Sequence, residues 1–184
     1  MAVRPLPFAP AVEEAIVLTL FDLTNQLTKL GGDLTARAGL TPQQWLVLLQ
    51  VAGDPNFPQP AAPPADTSRG VLASDIALAR GVSRPNVSAL LAGLLRRGLV
   101  RQEEQPRDRR RKHLVLTPAG RKVLQRLEAS RRRANRDLLA DLDTRQCVAL
   151  NGALLACLRR LWLPEMESSK AIKATGPSTR ELRG

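Results

Sequence analysis

Ser83-Arg84-Pro85-Asn86-Val87-Ser88-Ala89-Leu90-Leu91-Ala92-Gly93-Leu94-Leu95-Arg96-Arg97-Gly98 decides the fold. Ser83 is a good N-cap, and a proline two residues later fits the first helical turn, where its missing N–H costs nothing. Val87, Leu90, Leu91, Leu94 and Leu95 recur at helical spacing and form one apolar face, while Arg84, Asn86, Ala89, Gly93 and Arg96 fall toward the other. Gly98 stops the helix. The stretch therefore predicts a helix over 83–97 whose N-terminal half offers polar and basic side chains to a partner.

Upstream, Leu72-Ala73-Ser74-Asp75-Ile76-Ala77-Leu78-Ala79-Arg80 predicts a short helix, with Gly81 as the left-handed residue that ends it. Two short helices joined by a tight glycine turn make a helix-turn-helix. Downstream, Leu99-Val100-Arg101-Gln102-Glu103 and Lys112-His113-Leu114-Val115-Leu116 read as two strands around Gln105-Pro106-Arg107-Asp108-Arg109-Arg110-Arg111. Together they predict a β-hairpin over 100–116 with a cationic tip.

Working outward, Val12, Ile16, Leu20, Leu23, Leu27, Leu30 and Leu34 trace the stripe of a long first helix, which Gly31-Gly32 is expected to bend. Thr41-Pro42 opens a second helix, about 42–52, with Trp45, Leu48, Leu49 and Ala52 as its buried face. Thr117-Pro118 opens a long helix to about Leu139. Thr144 is read as the cap of a last helix that Pro164 ends. The expected organisation is an extended arm over 1–10, N-terminal helices over 11–52, a proline-rich insert over 53–70, a winged helix-turn-helix over 71–117, C-terminal helices over 118–163 and a disordered tail over 164–184. The fold class is mainly α with a small β-hairpin wing.

Charge points to the partner. Residues 84 to 133 hold 15 Lys and Arg against 4 Asp and Glu, while the rest of the chain holds 13 of each, so the whole net charge of +11 sits in one stretch. A field concentrated this way suits a polyanion, because each phosphate neutralised releases counterions. The major groove of duplex DNA admits a helix and is read by donors and acceptors near that helix's N-terminus. This makes Ser83, Arg84, Pro85, Asn86 and Ser88 the candidates on the helix. On the hairpin, Arg107, Asp108, Arg109, Arg110 and Arg111 are the candidates. Arg110 is assigned to the minor groove and Asp108 to holding its guanidinium. The bland reading of both segments is a solvated basic surface.

Other classes fit poorly. No Gly-x-Gly-x-x-Gly or Gly-x-x-x-x-Gly-Lys loop is present, and the single histidine, His113, leaves no catalytic triad outside the hairpin and no multi-histidine metal set. No enzyme, cofactor or metal is therefore expected. There is no Tyr, and the three Phe and two Trp lie outside the basic stretch, which disfavours stacking on single strands. Cys147 and Cys157 match no metal or redox motif and read as small packed thiols. With neither a secretory leader nor an apolar run long enough to span a bilayer, a cytoplasmic, membrane-free protein is expected.

At this point the sequence resembles the MarR-type transcriptional regulators. The resemblance runs from about 12 to 163 and rests most on Gly98-Leu99-Val100, Asp108-Arg109-Arg110 and Leu114-Val115-Leu116-Thr117-Pro118-Ala119-Gly120, with Leu40-Thr41, Gln44 and Leu48 in support. It implies a homodimer joined through the first helix and the last two, a repressor placed on a pseudo-palindromic site, and an effector of the aromatic-acid class in a cleft near Trp45. Ala89 stands where many members carry arginine, the insert after the second helix is longer than usual, and the first helix lacks the cysteine of the redox-sensing members. The competing reading is a winged helix that binds DNA architecturally, without sequence choice, or that binds protein.

Overall fold

The computed structural model describes residues 11–57, 70–105 and 108–174, with the side chains of 105, 108–111 and 162–174 outside the description. The expected arm over 1–10, most of the insert and the end of the tail therefore lie outside the described residues. The chain divides into two compact units, Met1–Pro42 and Gln43–Gly184.

The first unit is built on helix α1, Val12–Ala36. Glu13 and Glu14 occupy its first turn, where negative charge suits the positive end of the helix dipole. The helix runs unbroken through Gly31 and Gly32, which were expected to bend it. At its C-terminal end Thr35 is fully buried. Its hydroxyl lies 2.8 Å from the Gly31 carbonyl oxygen and 2.9 Å from that of Leu40. The Leu40 N–H returns to the Thr35 carbonyl at 3.2 Å, so both polar groups of Thr35 close the turn that leads out of the helix.

The second unit holds most of helix α2, Pro42–Val51, and then strand β1 (Val71–Leu72), helices α3 (Ala73–Arg80) and α4 (Arg84–Arg96), strands β2 (Val100–Gln105) and β3 (Asp108–Leu116), and helices α5 (Pro118–Leu138) and α6 (Thr144–Ala174). The buried residues of α2 are Val47, Leu48, Leu49, Gln50 and Val51. Ala52, expected on that face, follows the end of the helix in a turn and is exposed, and Trp45 is half-buried. Ile76, Val87, Leu94, Val100 and Leu114 are at most 2% exposed and, with Leu48, form the centre of the core.

The sheet has three strands in the order β1-β3-β2, all antiparallel. Two differences from expectation follow from pairing. Val71 and Leu72 pair with Leu114 and His113, adding a strand too short to show any alternation in sequence. The hairpin is also longer than expected, with β3 starting at Asp108, which leaves only 106–107 between the strands.

Each turn around α3 and α4 has a local cause. Gly81 sits at φ 59°, and Val82 N–H reaches back to the Ala77 carbonyl at 3.1 Å. Gly98 sits at φ 63°, and Leu99 N–H reaches the Leu94 carbonyl at 3.0 Å. Both are left-handed glycine stops of the kind that satisfy a helix's last carbonyls. Gly93, expected on the outer side of α4, is buried instead. A Cβ there would come within 2.5 Å of the Gln44 side-chain nitrogen, so α2 and α4 approach closely where no side chain intervenes.

Thr117 organises the root of the hairpin. Its hydroxyl accepts from the Gly120 N–H at 3.1 Å as the N-cap of α5 and donates to the Gly98 carbonyl at 2.6 Å. Gly120 is required beside it, since a Cβ would run into the Leu99 carbonyl oxygen. At α6 the cap is Asp143 rather than Thr144. The Gln146 N–H donates to the Asp143 carboxylate at 2.8 Å and the Gln146 side chain accepts from the Asp143 N–H at 2.9 Å, a reciprocal capping box. Pro164 was expected to end this helix, yet α6 continues to Ala174. An interior proline removes one ladder hydrogen bond and crowds the carbonyl four residues before it, which costs stability and bends a helix without necessarily ending it.

Candidate nucleic-acid interface

Helix α4 is anchored from behind and open in front. Val87, Leu91, Gly93 and Leu94 are buried, whereas Ser83, Arg84, Pro85, Asn86, Ser88 and Ala89 are all exposed. Ser83 has a local structural job as well, because its hydroxyl accepts from the Asn86 N–H at 3.4 Å and caps the helix. No acidic residue occupies the first turn of α4. The positive end of its dipole and the Arg84 guanidinium are therefore uncompensated from within the helix. All five helix candidates read from the sequence thus lie on one exposed end of one helix.

The hairpin candidates are placed by backbone alone. Register runs Val100 to Leu116, Arg101 to Val115, Gln102 to Leu114, Glu103 to His113 and Glu104 to Lys112, and then slips, so that the next residue, Gln105, pairs with Asp108. Arg109, Arg110 and Arg111 fall in the slipped part of β3 without residues opposite them. Extra residues on one strand bend it and increase its twist. Arg107, and the side chains of Asp108, Arg109, Arg110 and Arg111, lie outside the description, so the pairing of Asp108 with Arg110 expected from sequence is not observed in it. Nearer the root, Arg101 is held by Glu103 at 2.5 Å and Lys112 stands opposite Glu104. In the hairpin stem, one acid on the same strand and one across the ladder thus stand beside the two basic residues.

Two charged features escaped the sequence reading. Arg80, in the last turn of α3, has a buried Nε with no partner among the described residues. Burial pushes its guanidinium below the ordinary value. A cation in a last helical turn was the available signal. The second is Arg131, which reaches 77 residues back in sequence to Asp54 at 2.6 Å and also binds Glu128 at 2.7 Å. His113 is buried, with Nδ1 3.3 Å from the Gly70 carbonyl oxygen, and serves the junction of β1 with β3. Among the described residues no three His, Cys, Asp or Glu gather as a metal site, and no helix is long and apolar enough to cross a membrane.

Comparison with known proteins gives the same architecture. The MarR family model matches residues 38–111. A curated protein of Thauera aromatica, named as a transcriptional regulatory protein for the hcr operon, is 28% identical over 140 residues, covering 76% of this chain and 74% of that protein. Among solved structures, MepR of S. aureus in complex with DNA aligns with TM-score 0.64 at 20% identity, over 78% of this chain and 94% of its own. CouR of Rhodococcus jostii RHA1 bound to p-coumaroyl-CoA aligns with TM-score 0.67 at 19% identity, over 82% and 96%. The matched segment takes in the helix-turn-helix and most of the hairpin, so this chain is similar to the MarR-family transcriptional regulators and shares the fold of these solved winged-helix proteins.

Proposed function

We propose that this regulator is a cytoplasmic homodimer that represses transcription by binding a specific duplex site, with residues 83–97 in the major groove and the hairpin 100–116 in the minor groove. The observation that carries this reading is the asymmetry of α4, whose apolar side is buried while Ser83, Arg84, Pro85, Asn86 and Ser88 stand exposed at its N-terminal end. A major groove about 12 Å wide accepts a helix presented in this way. Asn86 offers donor and acceptor in one plane and suits adenine. Arg84 suits guanine or a phosphate, and Ser88 can bond to either. Arg107, Asp108, Arg109, Arg110 and Arg111 supply the minor-groove and backbone contacts, with Arg110 in the groove and Asp108 orienting it.

Two lobes need a joint. On α1, Val12, Leu18 and Phe21 are 63–67% exposed, and on α6 Val148 and Leu161 are 68% and 71% exposed. Apolar surface of this extent on terminal helices is what a second copy covers. The winged domain is taken as 71–117, with dimerisation helices before and after it. An aromatic acid or its thioester is the proposed effector class, supported by CouR, which was solved with p-coumaroyl-CoA, and by the half-buried Trp45.

The test is selection of sites from a random duplex pool, followed by competition with unrelated DNA. One site should survive an excess of random duplex. Arg110→Ala should weaken binding to all sequences and lower the salt slope by about 1. Asn86→Ala should cost about 1–3 kcal/mol at one base position only. Equal competition by random duplex overturns specific repression in favour of an architectural role, the reading that the unopposed arginines of β3 would otherwise support.

A further inference from the structure

Helix α5 carries a second charged concavity away from the hairpin. Glu128, Arg131, Arg132, Asn135 and Arg136 recur at steps of three and four and so share one face of the helix. With Asn56 opposite, they line a cavity of about 360 Å³, at the small end of ligand sites, which run from roughly 300 to 1,000 Å³. The opposite wall is fixed. Asp54 accepts from the Asn56 N–H at 2.9 Å and its side-chain amide at 3.0 Å, and binds Arg131 at 2.6 Å. The turn that bears Asn56 is thereby clamped to the helix.

The charges do not balance. Both oxygens of Glu128 are taken, one by Arg131 at 2.7 Å and the other by the Arg132 Nε at 2.5 Å. Asp54 takes the other terminal nitrogen of Arg131, and Asp137 turns to Arg133. Among the described residues, the outer nitrogens of Arg132 and the whole guanidinium of Arg136 have no carboxylate. Both Asn135 and Arg136 are exposed to the cavity side of solvent. A neutral ligand would leave these cations unmatched and a cation would be repelled, whereas oxyanion groups can take two forked guanidinium contacts at once. The size excludes a duplex. We infer that this cavity binds a small multivalent anion bearing carboxylate or phosphate groups, held by Arg132 and Arg136 and oriented by Asn56 and Asn135. This site is independent of the DNA-reading assignment.

Isothermal titration of the full chain with citrate and with pyrophosphate, at ionic strength matched with sodium chloride, tests it. The expected result is saturable binding of one anion per chain. Arg132→Gln combined with Arg136→Gln should weaken it by about tenfold or more, the loss of charge-assisted contacts. Both side chains are exposed, so the double variant should keep the wild-type circular dichroism. Arg110→Ala on the hairpin should change the affinity by less than about twofold. Preference for citrate assigns the ligand to carboxylates, and preference for pyrophosphate assigns it to phosphates. Absence of saturable binding for both anions overturns the site. Binding that survives the double variant but is lost in Arg110→Ala overturns it too, by placing the anion on the hairpin.

Discussion

Helices α1 and α4 have similar apolar content but meet opposite fates. In α4 the apolar face is spent inside the lobe, with Val87 and Leu94 at 0% exposure. In α1 the residues of the same type stay in water, Ile16 at 53% and Phe21 at 67%. The difference shows where one chain is self-sufficient. The lobe closes on itself through β1, α3, α4 and the hairpin, while the apolar residues of α1 stay exposed, and covering them by a second copy, as proposed, would gain roughly 25 cal/mol per Å² of apolar area.

The contrast can be tested most severely inside the lobe. Leu94→Ala should lower unfolding stability by about 2–5 kcal/mol, from lost burial and the cavity left behind, as read by denaturant midpoint. A loss under about 1 kcal/mol, the cost of an accommodating site, would mean that α4 is less committed to this core than its burial indicates.

A middle-sized effect is expected from the Asp54–Arg131 ion pair, whose side chains are 10% and 17% exposed. Burial alone would raise the Asp54 carboxyl, but hydrogen bonds from Asn56 and Arg131 outweigh it and leave the group below its ordinary value of 3.8. A carboxylate lowered in the folded state stabilises fully above its unfolded value and loses that contribution as pH falls through the folded one. Asp54→Asn should thus cost about 2 kcal/mol at neutral pH, by removing one charge and leaving Arg131 underpaired, and the gap to wild type should close on acidification. A gap that does not vary with pH would show that the carboxylate contributes shape and not charge.

The smallest effect on the lobe itself should come from α1. Ile16→Glu with Phe21→Glu alters side chains already in water, so the cost to a single chain should stay within about 0.5 kcal/mol per substitution. The self-association should suffer instead. Wild-type unfolding midpoints should rise with protein concentration, as expected when folding is linked to dimerisation, and the double variant should lose that dependence and sediment as a monomer. A concentration-independent wild type would remove the reason for calling the exposed stripe an interface.

What could be read in the sequence was whatever is encoded within a few residues. Ser83, Gly81, Gly98 and, as the cap of α5, Thr117 each act through hydrogen bonds to near neighbours or through their own backbone angle, and each stands where its residue type required. The features that were missed depend on distant partners or on very short pairing. Strand β1 is two residues long and exists because Leu114 and His113 are beside it. Nothing near Arg131 in the sequence points to Asp54, which pairs with it from 77 residues away. Gly93 was placed outward by helical spacing, but the approach of Gln44 is a matter of tertiary packing. For the candidate interface, the helix half was legible because exposure follows from amphipathic spacing. The slip that frees Arg109, Arg110 and Arg111 from the ladder could not be derived from composition.

That slip also separates anchoring from reach. The ladder from Val100 to Glu104 finds its partners in Lys112 to Leu116, so the pairing that fixes the hairpin to the core is complete before the arginine triplet is reached. Residues 109–111 are then extra to the ladder that anchors the hairpin. A change in their number would leave the registration of the paired scaffold below intact.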